Sequence, residues 1–215
     1  MLDILYKDHQ IFAVNKPPGI AVQPDKTGDT ALQKLAEAYC KQPLHLAHRL
    51  DRPVSGVVVF AKTKSAMTAL TEQFRSRLVE KIYLAVVQNL PPEPEGLLVH
   101  FLRKNEAKNI SVVASESDAN TERAELRYRL LGSSERYHLL EIQLITGRHH
   151  QIRAQLAAIG CSIKGDVKYG FRRSNRDRSI HLHAWKLAFD HPVSGERVSL
   201  EAKPPEDPVW QAFGL

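Results

Sequence analysis

"HRLDRPVSGVVVFAKT", residues 48 to 63, runs a knot of charge into an unbroken apolar stretch. Gly56 to Ala61 is apolar at every position and predicts a buried strand. Just before it, Asp51 lies between Arg49 and Arg52, where a loop feeds that strand. A carboxylate in this place is either a structural counter-ion or a held reagent. An arginine partner keeps it ionised, lowering its pKa by about one to three units, which leaves it available as a nucleophile and poor as a general acid.

Towards the N-terminus, "ILYKD" and "IFAVNK" pattern as short strands around Asp8-His9-Gln10, closed by the turn signal Pro17-Pro18-Gly19. Thr30 stands where it could cap a helix whose Leu32, Leu35, Ala36, Tyr39 and Cys40 form one stripe. Towards the C-terminus, a second helix from about Ser65 carries Ala66, Leu70, Phe74 and Leu78 in four-residue steps, and "KIYLAVV" returns to a strand pattern. After the proline-rich bend at 90–96, residues 97–145 read as strands with turns at Asn105, Ser115 to Asn120 and Gly132-Ser133-Ser134. Within them, "RAELRYRLL" and "RYHLLEIQLI" predict a hairpin. Residues 147–159 predict a helix with Thr146 as cap, Ile152, Leu156 and Ile159 on one face, and Gly160 as its stop. "HAWKLAFDHPVSGERVSLEA" predicts a last hairpin through Pro192-Val193-Ser194-Gly195. Strands with a few intercalated helices, no fixed repeat and no biased linker predict one α+β domain over 1–215, with a mixed, largely antiparallel sheet flanked by helices and loops.

The 215 residues are 43% hydrophobic, as expected for a globular protein with one core. The longest apolar runs fall far short of the roughly 20 residues of a membrane helix, and "MLDILYKDHQIFAVNK" lacks the order of a secretory signal. Cys40 and Cys161 stand alone, without the spacing of a disulfide framework or a zinc site, so a reducing cytoplasm or an organelle matrix is expected. The formal charge is +6, with an isoelectric point near 9.3. Its excess gathers in two segments: Lys164, Lys168, Arg172, Arg173, Arg176 and Arg178 in one, Arg103, Lys104 and Lys108 in the other. Either one alone could be a solvated loop; together they suit a polyanion bound through salt-sensitive phosphate contacts.

Several chemistries lack a foothold. No glycine-rich phosphate loop precedes a helix. His149-His150 and His181-Leu-His183 offer imidazoles, but with no HExxH, cysteine pair or carboxylate at a ligand offset no metal is expected, and these histidines read as structural or RNA-facing groups. Ser55 in "PVSGV" has no nucleophile-elbow context.

The chain resembles the RluA family of RNA pseudouridine synthases along nearly its whole length, through "VNKPPGIAVQP", "HRLDRPVSGVVVFAKT", "KIYLAVV", "LRKNEAKN", "LITGRHHQIRAQLAAIGCSIKGD" and "HLHAWKLAF". The resemblance implies a mixed sheet with a basic cleft across its face, and isomerisation of uridine in transfer or ribosomal RNA without a cofactor. It makes Asp51 the catalytic aspartate, Tyr83 the active-site tyrosine and Arg153 the basic partner of the aspartate. Arg49 takes the position that helps to displace the target base, and His48, Arg52, Arg148, Ile152 and Leu156 join the substrate side. Whether Asp51 attacks C1′ or the base, or assists departure of the uracil electrostatically, stays open at this level. Read from residue types alone, Tyr83 is a core strand tyrosine; Arg153 is either a helix-surface arginine or one largely desolvated, and its place bordering the stripe of Ile152, Leu156 and Ile159 favours the second.

Three positions depart from the family pattern: Val54 where threonine is frequent, His149 where serine or threonine is usual, and Gln155 where histidine is common. The N-terminal RNA-binding domain of many relatives is expected to be missing, so that RNA recognition falls to the catalytic domain of a monomeric cytoplasmic enzyme. An RNA-binding or RNA-folding protein without isomerase activity is the reading from another class. A retaining glycoside hydrolase would need a second carboxylate about 5 Å from the first, for which Glu80 and Asp166 are the candidates.

Overall fold

The structure, a computed structural model, describes residues 2–25 and 27–215. Along the chain it runs β1 (Asp3–Lys7), β2 (Ile11–Lys16), α1 (Leu32–Cys40), β3 (His45–Leu46), β4 (Ser55–Ala61), α2 (Lys64–Arg75), β5 (Glu80–Val87), β6 (Glu95–Asn105), β7 (Ile110–Ala114), β8 (Thr121–Ser133), β9 (His138–Leu144), α3 (Gln151–Ala158), a 3₁₀ turn (Val167–Tyr169), β10 (Leu182–Asp190), β11 (Arg197–Glu201) and α4 (Pro208–Gln211). Two compact units divide it: Met1–Lys81 with His183–Asp207, and Ile82–Leu182 with Pro208–Leu215. Among the described residues no helix is long and apolar enough to cross a membrane.

In the first unit β4 is the central strand and every one of its residues is buried. One edge pairs antiparallel with β2 along Ile11 to Lys16, and β1 adds beyond β2. The other edge is shared: β10 runs parallel to it at Ser55 and Gly56, and β3 antiparallel at Phe60 and Ala61. The unbroken apolar run thus has the cause expected of it, cover on both faces. On one face Ile11, Ala13, Val57, Val59 and Ala61 pack with Ala66 and Leu70 of α2 and with Leu187 and Phe189 of β10. Elsewhere Phe12 stacks on Tyr39 of α1 at 5.5 Å. Gly56 is required where β4 meets β10: its φ is +119°, and a Cβ would stand 2.2 Å from the Ala184 carbonyl oxygen.

The second unit is an antiparallel sheet in the order β5-β9-β8-β6-β7, with α3 against β6 and β7. Leu126, Leu140 and Ile142 alternate inward and are fully buried, whereas Arg127 and Gln143 on the opposite face are exposed. The β8–β9 hairpin forms as expected, but Gly132 and Ser133 extend β8 beyond an irregularity after Leu130. The reversal instead lies at Ser134–Tyr137, closed by the Ser134 amide donating to the Tyr137 carbonyl at 2.8 Å.

Five local expectations are corrected. Thr30 does not cap α1: Ala31 is the N-cap, without a side-chain bond. The Leu32 and Gln33 amides donate instead to the carbonyls of Ala21 and Val22 at 2.8 and 2.9 Å, so the preceding loop supplies what a cap would. On the expected stripe of α1 only Leu32 and Ala36 are buried. Leu78 falls outside α2, which ends at Arg75, and is 58% exposed. Residues 147–150 form a turn rather than the first helical turn, and α3 starts after His150, whose φ is +52°. Thr146 caps nothing: its hydroxyl accepts from the Glu125 amide at 2.8 Å and donates to Gln151 Oε1 at 2.7 Å, which ties the turn to β8.

Candidate active site

The turn that bears Asp51 is anchored from four sides within the first unit. The Val54 amide donates to the Asp51 carbonyl at 3.1 Å, closing the turn. Upstream, β3 peels away from β4 after Leu46, and His48 completes the strand edge there: its Nε2 accepts the Val59 N–H at 3.0 Å. The ring stacks on Phe74 at 5.0 Å. Burial, reinforced by the Lys81 charge, pushes His48 down to about 4, in keeping with a nitrogen that must stay unprotonated to accept. Downstream, the buried Ser55 hydroxyl donates to His183 Nδ1 at 2.8 Å, and His183 Nε2–H donates to the Ala202 carbonyl at 2.9 Å.

The third anchor is Lys16, which ends β2 fully buried. Its ammonium donates to the carbonyls of Pro17, Ile20 and Arg52 at 3.0, 2.9 and 3.1 Å, using all three protons to join the Pro-Pro-Gly turn to the Asp51 turn. Burial pushes Lys16 down to about 7, and the Asp51 charge works against that shift. The fourth anchor is Arg52. Its guanidinium reaches away into the 19–29 loop, to Asp25 at 2.8 Å, Asp29 at 2.8 Å, Thr27 Oγ1 at 2.6 Å and the Gly19 carbonyl at 3.3 Å. The Thr27 hydroxyl and then Arg52 hold Asp25 at about 2. Arg49 is exposed and Asp51 half-buried. The charges flanking Asp51 in sequence thus have different tasks: Arg52 clamps a loop, and Arg49 faces solvent.

In the second unit Tyr83 sits on β5 opposite Ile142, half-buried rather than in the core. Arg153, on α3, is buried, as its place beside the apolar stripe predicts: 4% of it is exposed. Its Nε and Nη2 grip Asp166 Oδ2 and Oδ1 at 2.7 and 2.8 Å, and Asp166 is 1% exposed. Such a pair keeps two charges inside because each satisfies the other in fork geometry. The Tyr169 ring lies against the guanidinium at 5.0 Å. Helix α3 is seated by its glutamines. Gln155 donates to the carbonyls of Leu98 and Ala124 at 3.1 and 3.2 Å and accepts from Gln151 at 3.0 Å. Gln151 in turn donates to the Glu125 carbonyl at 3.0 Å. Ile152 and Leu156 are core side chains. Arg148 binds Glu122 at 2.5 Å and the Arg123 carbonyl at 3.2 Å.

Both basic segments lie in this unit. The first is the tip of the β6–β7 hairpin. The second is pinned at its base by Asn175, which accepts from Lys164 at 2.8 Å and bonds the Ser179 carbonyl and His181 Nδ1 at 3.0 and 3.1 Å. Arg172, Arg173, Arg176 and Arg178 point outward from it, exposed. Of the two carboxylates a glycosidase would enlist, Asp166 is gripped by Arg153, and the half-exposed Glu80 lies 4.0 Å from Arg197. Among the described residues no three His, Cys, Asp or Glu side chains gather as a metal site would need.

Sequence reasoning passed over Lys16, Asp25, Asp29, the Ser55–His183 link and Tyr169. Lys16 did leave a trace, as a charge closing a strand that opens on four apolar residues; the others are exposed or polar residues with partners far along the chain.

Residues 10–158 match the family model described as RNA pseudouridylate synthase, a span that takes in Asp51, Tyr83 and Arg153. The chain is 33% identical to the tRNA pseudouridine synthase C of Yersinia pestis, over 99% of this chain and 90% of that protein. It is 35% identical to the ribosomal large subunit pseudouridine synthase C of Rickettsia bellii, over 94% and 68%. It spans 61% and 66% of the length of two further curated relatives. Among solved structures, human RNA Pseudouridylate Synthase Domain Containing 4 superposes with a TM-score of 0.79 at 27% identity, covering 98% of this chain and 91% of that one.

Proposed function

We propose that this chain, which belongs to the RNA pseudouridylate synthase family, isomerises specific uridines of transfer or ribosomal RNA to pseudouridine, with Asp51 as the catalytic carboxylate. The observation that carries the reading is the family match over residues 10–158, a span that includes the three proposed catalytic residues. The reaction breaks N1–C1′ of the uridine, turns the uracil and joins C5 to C1′. The proton leaves C5 and one is gained at N1, so atoms and electrons balance without cofactor or water.

Asp51 sets negative charge against the cation that develops at C1′ as the uracil departs. Its turn is tied down by Lys16, His48, Arg52 and the Ser55–His183 link, so the carboxylate need not reorganise during the reaction. Arg153 takes the role of the basic partner that the family pattern gives it, with its charge buried in its own unit. Tyr83 offers a flat face for the uracil and a phenol for proton transfer. A stacked uridine must be extruded before its glycosidic bond can be reached, and the exposed Arg49 fills the space it leaves. Arg148 meets the RNA, while His48 and Arg52 in the first unit, and Ile152 and Leu156 in the second, support the substrate side from within their own units. The two basic segments follow the phosphates of a stem-loop. In this reading residues 1–215 act as one catalytic domain, monomeric and cytoplasmic.

The test is pseudouridine mapping on total RNA from cells with and without the gene, rescued by wild type or by Asp51→Asn. A site lost on deletion and restored by wild type alone is the expected result. Restoration by Asp51→Asn would refute the role of the carboxylate, and an unchanged map in a strain cleared of redundant synthases would leave an RNA-binding protein.

A further inference from the structure

Arg153 is held on two sides by one short stretch of chain. Asp166 takes its Nε and Nη2 edge at 2.7 and 2.8 Å, and the Tyr169 ring lies on its face at 5.0 Å. These two residues close the 3₁₀ turn, the Tyr169 amide donating to the Asp166 carbonyl at 3.1 Å. The Ser162 hydroxyl fixes the Tyr169 carbonyl at 2.6 Å. A bidentate carboxylate sets the plane of a guanidinium, and an aromatic ring on its face stops it tilting.

The phenol oxygen of Tyr169 reaches out of this cradle. It accepts the Ser111 N–H at 2.7 Å and pairs with His150 Nδ1 at 2.9 Å. His150 is the N-cap of α3, the helix that carries Arg153. Ser111 belongs to β7, directly after the hairpin tip that bears Lys108, and its hydroxyl also bonds the carbonyl and Nδ1 of His149 at 2.6 and 2.9 Å. One side chain therefore touches the arginine, the start of its helix and the basic hairpin.

We propose that Asp166 and Tyr169 are positioning residues that orient Arg153, and that the Tyr169 phenol joins the basic β6–β7 hairpin to that orientation, so that RNA held by the hairpin bears on the arginine. The proposal rests on the reading of Arg153 as partner of Asp51. The ring and the hydroxyl have separable tasks: the ring fixes the guanidinium, and the hydroxyl fixes the hairpin. Ordering the arginine in the free protein removes that entropy cost from the encounter with RNA.

The experiment compares Tyr169→Phe, Tyr169→Leu and Asp166→Asn. In the free protein, the ¹H–¹⁵N signal of Arg153 Nε–H reports the cradle directly. It stays in place in Tyr169→Phe, moves in Tyr169→Leu as the ring current is lost, and loses protection from solvent exchange in Asp166→Asn. With in vitro transcribed transfer and ribosomal RNA as probe, Tyr169→Phe raises KM several-fold and leaves kcat alone, as expected for two hydrogen bonds lost outside the chemistry. Tyr169→Leu also lowers kcat, by about 100-fold, because the arginine is misplaced.

An Arg153 signal unmoved in Tyr169→Leu and Asp166→Asn overturns the cradle, and an unchanged KM in Tyr169→Phe overturns the link to the hairpin. Should Tyr169→Leu fail to fold, the Asp166→Asn exchange rate and the Tyr169→Phe split decide. An Asp51→Asn variant that still isomerises overturns the catalytic reading instead, and the Arg153 signal then still decides the cradle by itself.

Discussion

Replacing His183 by glutamine isolates the contribution of one buried imidazole to acid stability. His183 is fully buried, donates through Nε2 to the Ala202 carbonyl and accepts at Nδ1 from Ser55. Burial lowers its pKa from 6.5 to about 4, against a small opposing pull from the Ala202 hydrogen bond. The folded pKa lies below the unfolded one, so between pH 6.5 and 4 the unfolded chain binds a proton that the folded chain does not. His183 therefore leaves stability whole above about pH 6.5 and withdraws it as the pH falls towards 4. Over that interval the loss is about 3 kcal/mol. Glutamine keeps a donor for Ala202 and an acceptor for Ser55 but does not titrate. Urea unfolding of wild type and His183→Gln at pH 7, 6, 5 and 4 cancels the carboxylates common to both. At pH 7 the variant is the less stable, and its deficit shrinks by about 3 kcal/mol by pH 4. A deficit that stays constant with pH would refute the argument that His183 is held neutral.

Gly56→Ala, whose Cβ would meet the Ala184 backbone at 2.2 Å with φ at +119°, should cost about 3 kcal/mol or more, measured as a lowered urea midpoint or an insoluble product. Arg52→Ala should speed amide exchange across residues 19–25 and 27–29 while the melting temperature moves little, because its partners Asp25 and Asp29 are exposed. In filter binding to transfer RNA transcripts, the double change Arg172→Ser and Arg173→Ser should flatten the dependence of log Kd on log salt by roughly one to two, about one per lost phosphate contact.

Strand and helix order was legible because it depends on spacing that neighbouring residues carry themselves. The apolar run 56–61 could only be a covered strand, and the alternation in β8 and β9 could only fit a sheet with one wet face. Helix starts were less legible. Thr30 and Thr146 have the right chemistry in the right places, yet the loop carbonyls of Ala21 and Val22 satisfy α1 and β8 recruits Thr146. A cap residue advertises a capacity for hydrogen bonding, and a closer partner from elsewhere in the chain takes it.

The proposed site divides in the same way. Motif spacing alone, through its resemblance to a family, brought Asp51, Tyr83 and Arg153 to attention, because the family's motifs are local strings of residues. Their electrostatic setting was not local. Arg52 stands next to Asp51 in sequence but spends its guanidinium on Asp25 and Asp29. Arg153 borders the apolar stripe of its helix, but that it is buried on Asp166, thirteen residues on, is written nowhere in that spacing. By itself the sequence determined which segments become strands and helices and which residue types are available for chemistry, since both follow from local geometry and side-chain identity. Tertiary structure alone decided which charge neutralises which, and that Lys16 would be buried with its three protons on carbonyls of two separate turns. The strength of a charge pair depends on distance and burial, and neither is set until distant parts of the chain have packed.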